Sequence, residues 1–134
     1  MRSDNAGKLI LRLAVGCLMA FHGLSKLRHG VAWMAGPLSA HHLPAALAYG
    51  VYVAEVVAPV LLILGIFTRP AGLVIAFEMV VALYLVVDGR AFTLDKQTGA
   101  LNSELQFLYM LGGLAIFFLG SGRYALSKGK GRWD

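Results

Sequence analysis

Residues 44–67 read PAALAYGVYVAEVVAPVLLILGIF, an apolar run whose one charge is Glu55. An α-helix needs about 20 mostly apolar residues to cross the hydrocarbon core of a bilayer. This run is long enough. Pro44 suits the first position of a helix, where its missing N–H costs nothing. Pro59 lies inside the run and cannot donate to the carbonyl of Glu55, so a kink is expected there.

Three more apolar runs flank it. Residues 9–27 read LILRLAVGCLMAFHGLSKL. They contain Arg12, His22 and Lys26 and are followed by no A-x-A cleavage site, so a secretory signal peptide is not expected. Residues 70–87 start with Pro70 and carry Glu78 as their one charge. Residues 103–119 follow Asn102 and Ser103, either suited to cap a helix, and precede Gly120 and Gly122, suited to end one.

Composition agrees with this reading. The chain is 58% hydrophobic and 14% charged, whereas a soluble domain averages about 25% charged residues. So few charges leave large apolar patches in water, so lipid is the expected surround. The expectation is an all-α, integral membrane four-helix bundle in one domain over residues 1–134. Such a bundle leaves no room for a separate soluble domain.

The connections set orientation. Residues 28–43 mix polar and apolar side chains, with Trp33 placed at the membrane surface. The few residues around Thr68 and Arg69 make a tight hairpin. Residues 88–102 are polar, and the tail SGRYALSKGKGRWD is basic and expected to be loose at its end. Eight basic residues fall on one side, namely Arg2, Lys8, Arg12, Arg69, Arg123, Lys128, Lys130 and Arg132. Four fall on the other, Lys26, Arg28, Arg90 and Lys96. The positive-inside rule then gives an N-in/C-in topology. The basic tail needs no nucleic acid; attraction to anionic headgroups accounts for it.

Ala46, Gly50, Ala54 and Ala58 recur every fourth residue, as do Gly16 and Ala20. Such stripes let helix backbones approach closely in lipid. The lone cysteine, Cys17, reads as a small packing residue and allows no intrachain disulfide.

Chemistry is sought among the intramembrane ionisable residues Arg12, His22, Lys26, Glu55, Glu78 and Glu104. A charge near the bilayer centre costs about 2.5–3.5 kcal/mol on insertion scales, so these groups face inward and find partners. His22 and Lys26 are four apart and share a helix face. Glu104 starts the fourth run at matching depth. Lys26 is therefore expected to pair with Glu104, or to share with it a polar pocket that includes His22. Glu55 and Glu78 lie near mid-depth. They are expected to find a partner in Arg12, His22 or Lys26, or to retain a proton. Beside Glu55, the carbonyl freed by Pro59 makes a polar spot able to hold a water, an ion or a ligand oxygen. His29, His41 and His42 match no metal-site spacing, so no metal is expected. There is no phosphate loop, dinucleotide fingerprint, H-E-x-x-H or nucleophile elbow.

With these residues in place, the sequence resembles the DoxX family of small bacterial membrane proteins. The resemblance runs over almost the whole chain. It covers L-I-L-R-L with Arg12 and Gly16, H-G-x-x-K-L with His22, Gly23, Lys26 and Leu27, and Glu55. It continues in L-G-I-F-T-R ending at Arg69, E-x-x-x-L-Y from Glu104, and G-S-G-R-Y-A-L. Ala125 and Ser127 stand where the family favours Ser and Asp, and Glu78 is outside the pattern. The resemblance implies a multi-pass, inner-membrane four-helix protein. It links to quinone-dependent sulfur oxidation, since some relatives form the membrane part of thiosulfate:quinone oxidoreductase, and others accompany thiol and oxidative-stress systems.

The resulting expectation is a membrane subunit of a quinone-linked oxidoreductase or redox-stress complex. It would bind a quinone headgroup or a small anion in an outer-leaflet polar pocket, with His22, Lys26, Glu55 and Glu104 as candidate ligands. No cofactor is intrinsic, so electrons come from a redox partner subunit; a homo-oligomer is a further candidate assembly. The alternative is a non-catalytic membrane anchor or assembly factor. A small-solute carrier ranks last, because no polar stripe runs from end to end.

Overall fold

The computed structural model describes residues 2–87 and 89–134; Asp88, where the third connection is expected to begin, lies outside the described residues. Helix α1 spans Arg2–His29. A 3-10 turn, Ala32–Met34, runs into the short helix α2, Ala35–Ala40. Helix α3 is Ala45–Leu64, α4 is Thr68–Val87 and α5 is Glu104–Leu119. Helices α1, α3 and α4 are long and apolar enough to cross a membrane, and α5 is a shorter apolar helix. Among the described residues the only β pairing is an isolated bridge between Leu94 and Leu101.

Polarity is inverted relative to a soluble domain. Phe21, Phe77 and Phe118 are about 70% exposed, whereas Arg12 and Glu55 are buried. The main core gathers Val15, Met19, Leu62, Ile75 and Ile116. A second cluster packs Met34 and Leu38 of the first connection against Val51 and Leu85. That connection is therefore more than a surface strap: Val31, Met34 and Leu38 are buried.

Small residues set the crossings, though not as one stripe. Gly72 on α4 and Gly113 on α5 face each other; a Cβ on either would lie 2.5–2.6 Å from the other's carbonyl oxygen. Of the four stripe positions on α3 only Ala54 and Ala58 are buried, while Ala46 and Gly50 are exposed. The reason is the changing helical pitch. α3 begins as a 3-10 helix over Ala45–Tyr49 and widens into a π-turn over Val53–Val57. A four-residue period cannot stay on one face through such changes. The π-turn ends just before Pro59, with the Ala58 N–H donating to the Val53 carbonyl.

The hairpin between α3 and α4 turns at Gly65–Phe67, earlier than Thr68 and Arg69. Gly65 closes α3 at φ 75° and Phe67 takes φ 49°, the left-handed region a glycine adopts without strain. α4 consequently begins at Thr68, with Pro70 inside its first turn. At the start of α5, Ser103 makes no side-chain cap; its hydroxyl donates to the Ala91 carbonyl. Gly120 ends α5 at φ 74°. In the third connection the Thr98 and Gln97 N–H groups hold the Asp95 carboxyl below the usual carboxylate range.

The tail is folded back, and its end is tied in rather than loose. Arg12 donates to the Ser121 carbonyl at 3.1 Å and the Tyr124 carbonyl at 2.9 Å. The Ser127 hydroxyl donates to the Gly65 carbonyl at 2.8 Å. Arg69 donates to the Asp134 carbonyl and to that of Phe117, each at 2.9 Å. The tail, the start of α1 and the α3–α4 turn therefore meet at one end. Arg12 pairs with neither Glu55 nor Glu78: its partners are backbone oxygens of the tail. Hydrogen bonds to charged groups contribute about 1.5–3 kcal/mol each. Arg12→Met should thus release the tail and speed tryptic cleavage after Arg123 and Lys128 by about tenfold or more. Mass spectrometry of timed digests in detergent reads this directly, and cleavage at the wild-type rate would refute the anchor.

Candidate functional site

A cavity of about 190 Å³ lies among α1, α3, α4 and α5, toward the end that carries α2. Two consecutive turns of α1 supply His22 and Lys26. The π-turn of α3 supplies Glu55 and α4 supplies Glu78. The first turns of α5 supply Gln106 and Tyr109, and the 3-10 turn adds Trp33. Met19, Val51, Met79 and Leu85 make apolar wall. π-turns recur at functional sites because widening one turn re-aims its side chains; here the re-aimed residue is the acid.

Lys26 Nζ lies 3.3 Å from Glu55 Oε2 and 5.6 Å from the centre of the Trp33 ring. Both side chains of the ion pair are largely buried, at 17% and 10% exposure. The Tyr52 hydroxyl donates to the Lys26 carbonyl at 3.3 Å and ties α3 to the last turn of α1. His22 meets Tyr109 edge-to-face at 5.8 Å. Glu78 lines the same cavity as Glu55. Glu78 Oε2 and Gln106 Oε1 are buried with no hydrogen-bond partner among the described residues. Buried acceptors without partners are costly, so these two atoms mark where a donor belongs.

Of the six ionisable residues singled out from sequence, the fold brings four together: His22, Lys26, Glu55 and Glu78. The expected Lys26–Glu104 pair does not form. Glu104 is exposed at the N-terminus of α5, where a negative charge is favoured by the helix dipole, and Lys26 takes Glu55 instead. Arg12 belongs to the tail anchor. Gln106 was not singled out, Tyr109 entered only as the last residue of the E-x-x-x-L-Y element, and Trp33 only as a membrane-surface residue. With Glu104, Gln106 and Tyr109 are the polar side chains of α5, and their spacing of three puts them on one face. That was the available signal. The loop histidines are separately engaged: His29 contacts the Ser25 carbonyl at 3.0 Å and His41 packs on Tyr84. No group of three or more His, Cys, Asp or Glu that could hold a metal occurs among the described residues.

The arrangement combines hydrogen-bond donors, free acceptors and a pair of carboxyl groups within an apolar wall. It can orient a small polar ring and exchange protons with it. An apolar helical membrane protein with a buried acid-rich cavity is the class that fold and site define. The chain belongs to the DoxX family, whose model matches residues 7–88. It is 35% identical to a Haemophilus influenzae protein described as uncharacterized, over 87% of this chain and 84% of that one. It is 29% identical to a Bacillus subtilis protein named "Putative oxidoreductase CatD", over 93% and 87% of the two chains. No solved structure gives a significant match.

Proposed function

We propose that this protein is the inner-membrane subunit of a quinone-linked redox complex, and that its cavity holds the quinone headgroup. In this reading α5 crosses the membrane beside the three longer helices, both termini are cytoplasmic and the cavity opens in the outer leaflet. The observation that carries the reading is the cavity itself, with its buried ion pair and its two unpartnered acceptors. Size supports it: an apolar cavity of about 150 Å³ accommodates benzene, and this one has about 190 Å³. The B. subtilis relative's printed name supports a redox role.

The residues divide the work. Lys26, His22 and Tyr109 offer donors to ring oxygens. Gln106 Oε1 and Glu78 Oε2 accept from ring hydroxyls. Glu55 and Glu78 both stand in the cavity wall with a single ammonium, and in this reading they are the groups that exchange protons with the ring. Beside a single ammonium, two carboxyls disfavour a free anion as ligand. A quinone, when bound, exchanges two electrons and two protons; the electrons pass to or from a partner subunit.

Native mass spectrometry of the protein purified in mild detergent tests the proposal. Bound quinone is expected, and a co-purifying subunit would be seen in the same spectra. Ala82 lines the cavity. Ala82→Leu fills it without touching a charge and should lower quinone occupancy about tenfold, the effect of about 1.4 kcal/mol. Wild-type preparations free of quinone would overturn the reading. In that case the anchor role gains, favoured by the exposed Phe92 and Leu94 on an otherwise polar connection.

A further inference from the structure

At the end opposite the cavity, a concave basin of about 690 Å³ is lined by five cations: Lys8, Arg69, Arg123, Lys128 and Lys130. Its one acid, Asp134, already accepts from the Phe67 N–H at 2.7 Å and the Gly131 N–H at 3.1 Å. Arg69 is committed to the Asp134 and Phe117 carbonyls. Lys8, Arg123, Lys128 and Lys130 remain, and no ion pair involves them among the described residues. The backbone of the tail that carries three of them is also tied down. The Arg123 N–H donates to Asn5 Oδ1 at 2.8 Å. Ser127, next to Lys128, is bonded to Gly65. The Arg12 bonds fix the chain on both sides of Arg123. A loose basic tail would give diffuse attraction; this one presents a fixed concavity.

We propose that the basin binds a phosphate-bearing anion, the group shared by an anionic phospholipid and free phosphate. The surroundings favour the lipid. Leu119 lines the basin, and Leu126 and Trp133, close in the chain to the lining residues Lys128 and Asp134, are exposed at 69% and 54%. An apolar rim beside clustered cations places the site at the headgroup level, where aromatic and basic side chains anchor proteins. The ligand class is a glycerophospholipid of net negative charge, seated by its phosphodiester.

Lipid titrations followed by native mass spectrometry test this on the full chain. Phosphatidylglycerol should bind at least about tenfold more tightly than phosphatidylcholine, which carries its own cation. Lys128→Gln/Lys130→Gln should weaken phosphatidylglycerol about 25-fold, taking about fivefold per cation near the surface. Both side chains are exposed, and thermal melting checks that the variant folds. Arg90→Gln/Lys96→Gln, at the other end, should leave binding within about twofold. Equal losses in the two variants would mean general attraction and overturn the site. Saturable binding of inorganic phosphate alone, as tight as the lipid, would overturn the lipid assignment. No preference for phosphatidylglycerol would overturn the whole proposal.

Discussion

Lys26→Met should lower the stability of the bundle by about 3–5 kcal/mol, the usual cost of leaving half of a buried ion pair behind. The partner it abandons, Glu55, is buried and shares its cavity with Glu78. Without the ammonium, two carboxyls share an apolar cavity with no counter-ion. For a chain of this size the loss corresponds to a melting point about 10 °C lower or more in detergent. Lys26→Met/Glu55→Met should recover most of it, because apolar replacement of a whole buried pair is often neutral. Glu78→Gln removes the surplus carboxyl and should cost little. The double variant then separates stability from function: it should fold yet lose bound quinone. If Lys26→Met alone melts with the wild type, the ion pair is not the lock inferred here.

How much of this site could be read from sequence depends on what each residue displays. A charge inside an apolar run is visible because lipid penalises it, so His22, Lys26, Glu55 and Glu78 could be recognised as a polar set. Their pairing could not. It depends on the rotation of α3 about its own axis, and the π-turn at Val53–Val57 changes that rotation with no unmistakable mark in the sequence. Matching Lys26 to Glu104 used depth alone. Glu104 has the right depth but lies outside the cavity wall, whereas Gln106 and Tyr109 line it. An amide and a phenol carry no charge, so depth costs do not flag them. Arg12 was legible as a buried cation, but its partner was sought among acids. Backbone carbonyls of a folded-back tail are not written in side-chain identity. The long apolar helices were legible because length and hydropathy alone decide them.

The closest approach of α1 to α3 gives the second large effect, because it couples packing to the site. A Cβ on Gly23 would overlap the Glu55 carbonyl oxygen and sit 2.6 Å from the carbonyl carbon. Backbone cannot swing aside as a side-chain tip can, so Gly23→Ala must push the helices apart. Overpacking of this kind costs about 1–3 kcal/mol, occasionally more. The helix-propensity gain of about 1 kcal/mol from replacing glycine offsets only part of it. Gly50 supplies the control. It is exposed on the same α3 helix, with nothing within 4 Å of its Cβ position, so Gly50→Ala should stabilise by up to about 1 kcal/mol. Gly16 falls between, since its nearest contacts lie at 3.1–3.2 Å and two of the three are side-chain atoms. Thermal melts of the three variants should therefore rank Gly50→Ala above Gly16→Ala above Gly23→Ala. The same displacement separates Lys26, less than one turn beyond Gly23, from Glu55. Gly23→Ala should then lose bound quinone even where the protein remains folded, while Gly50→Ala keeps it. Were Gly23→Ala to match Gly50→Ala in both stability and quinone content, the α1–α3 crossing could not be what holds the ion pair together.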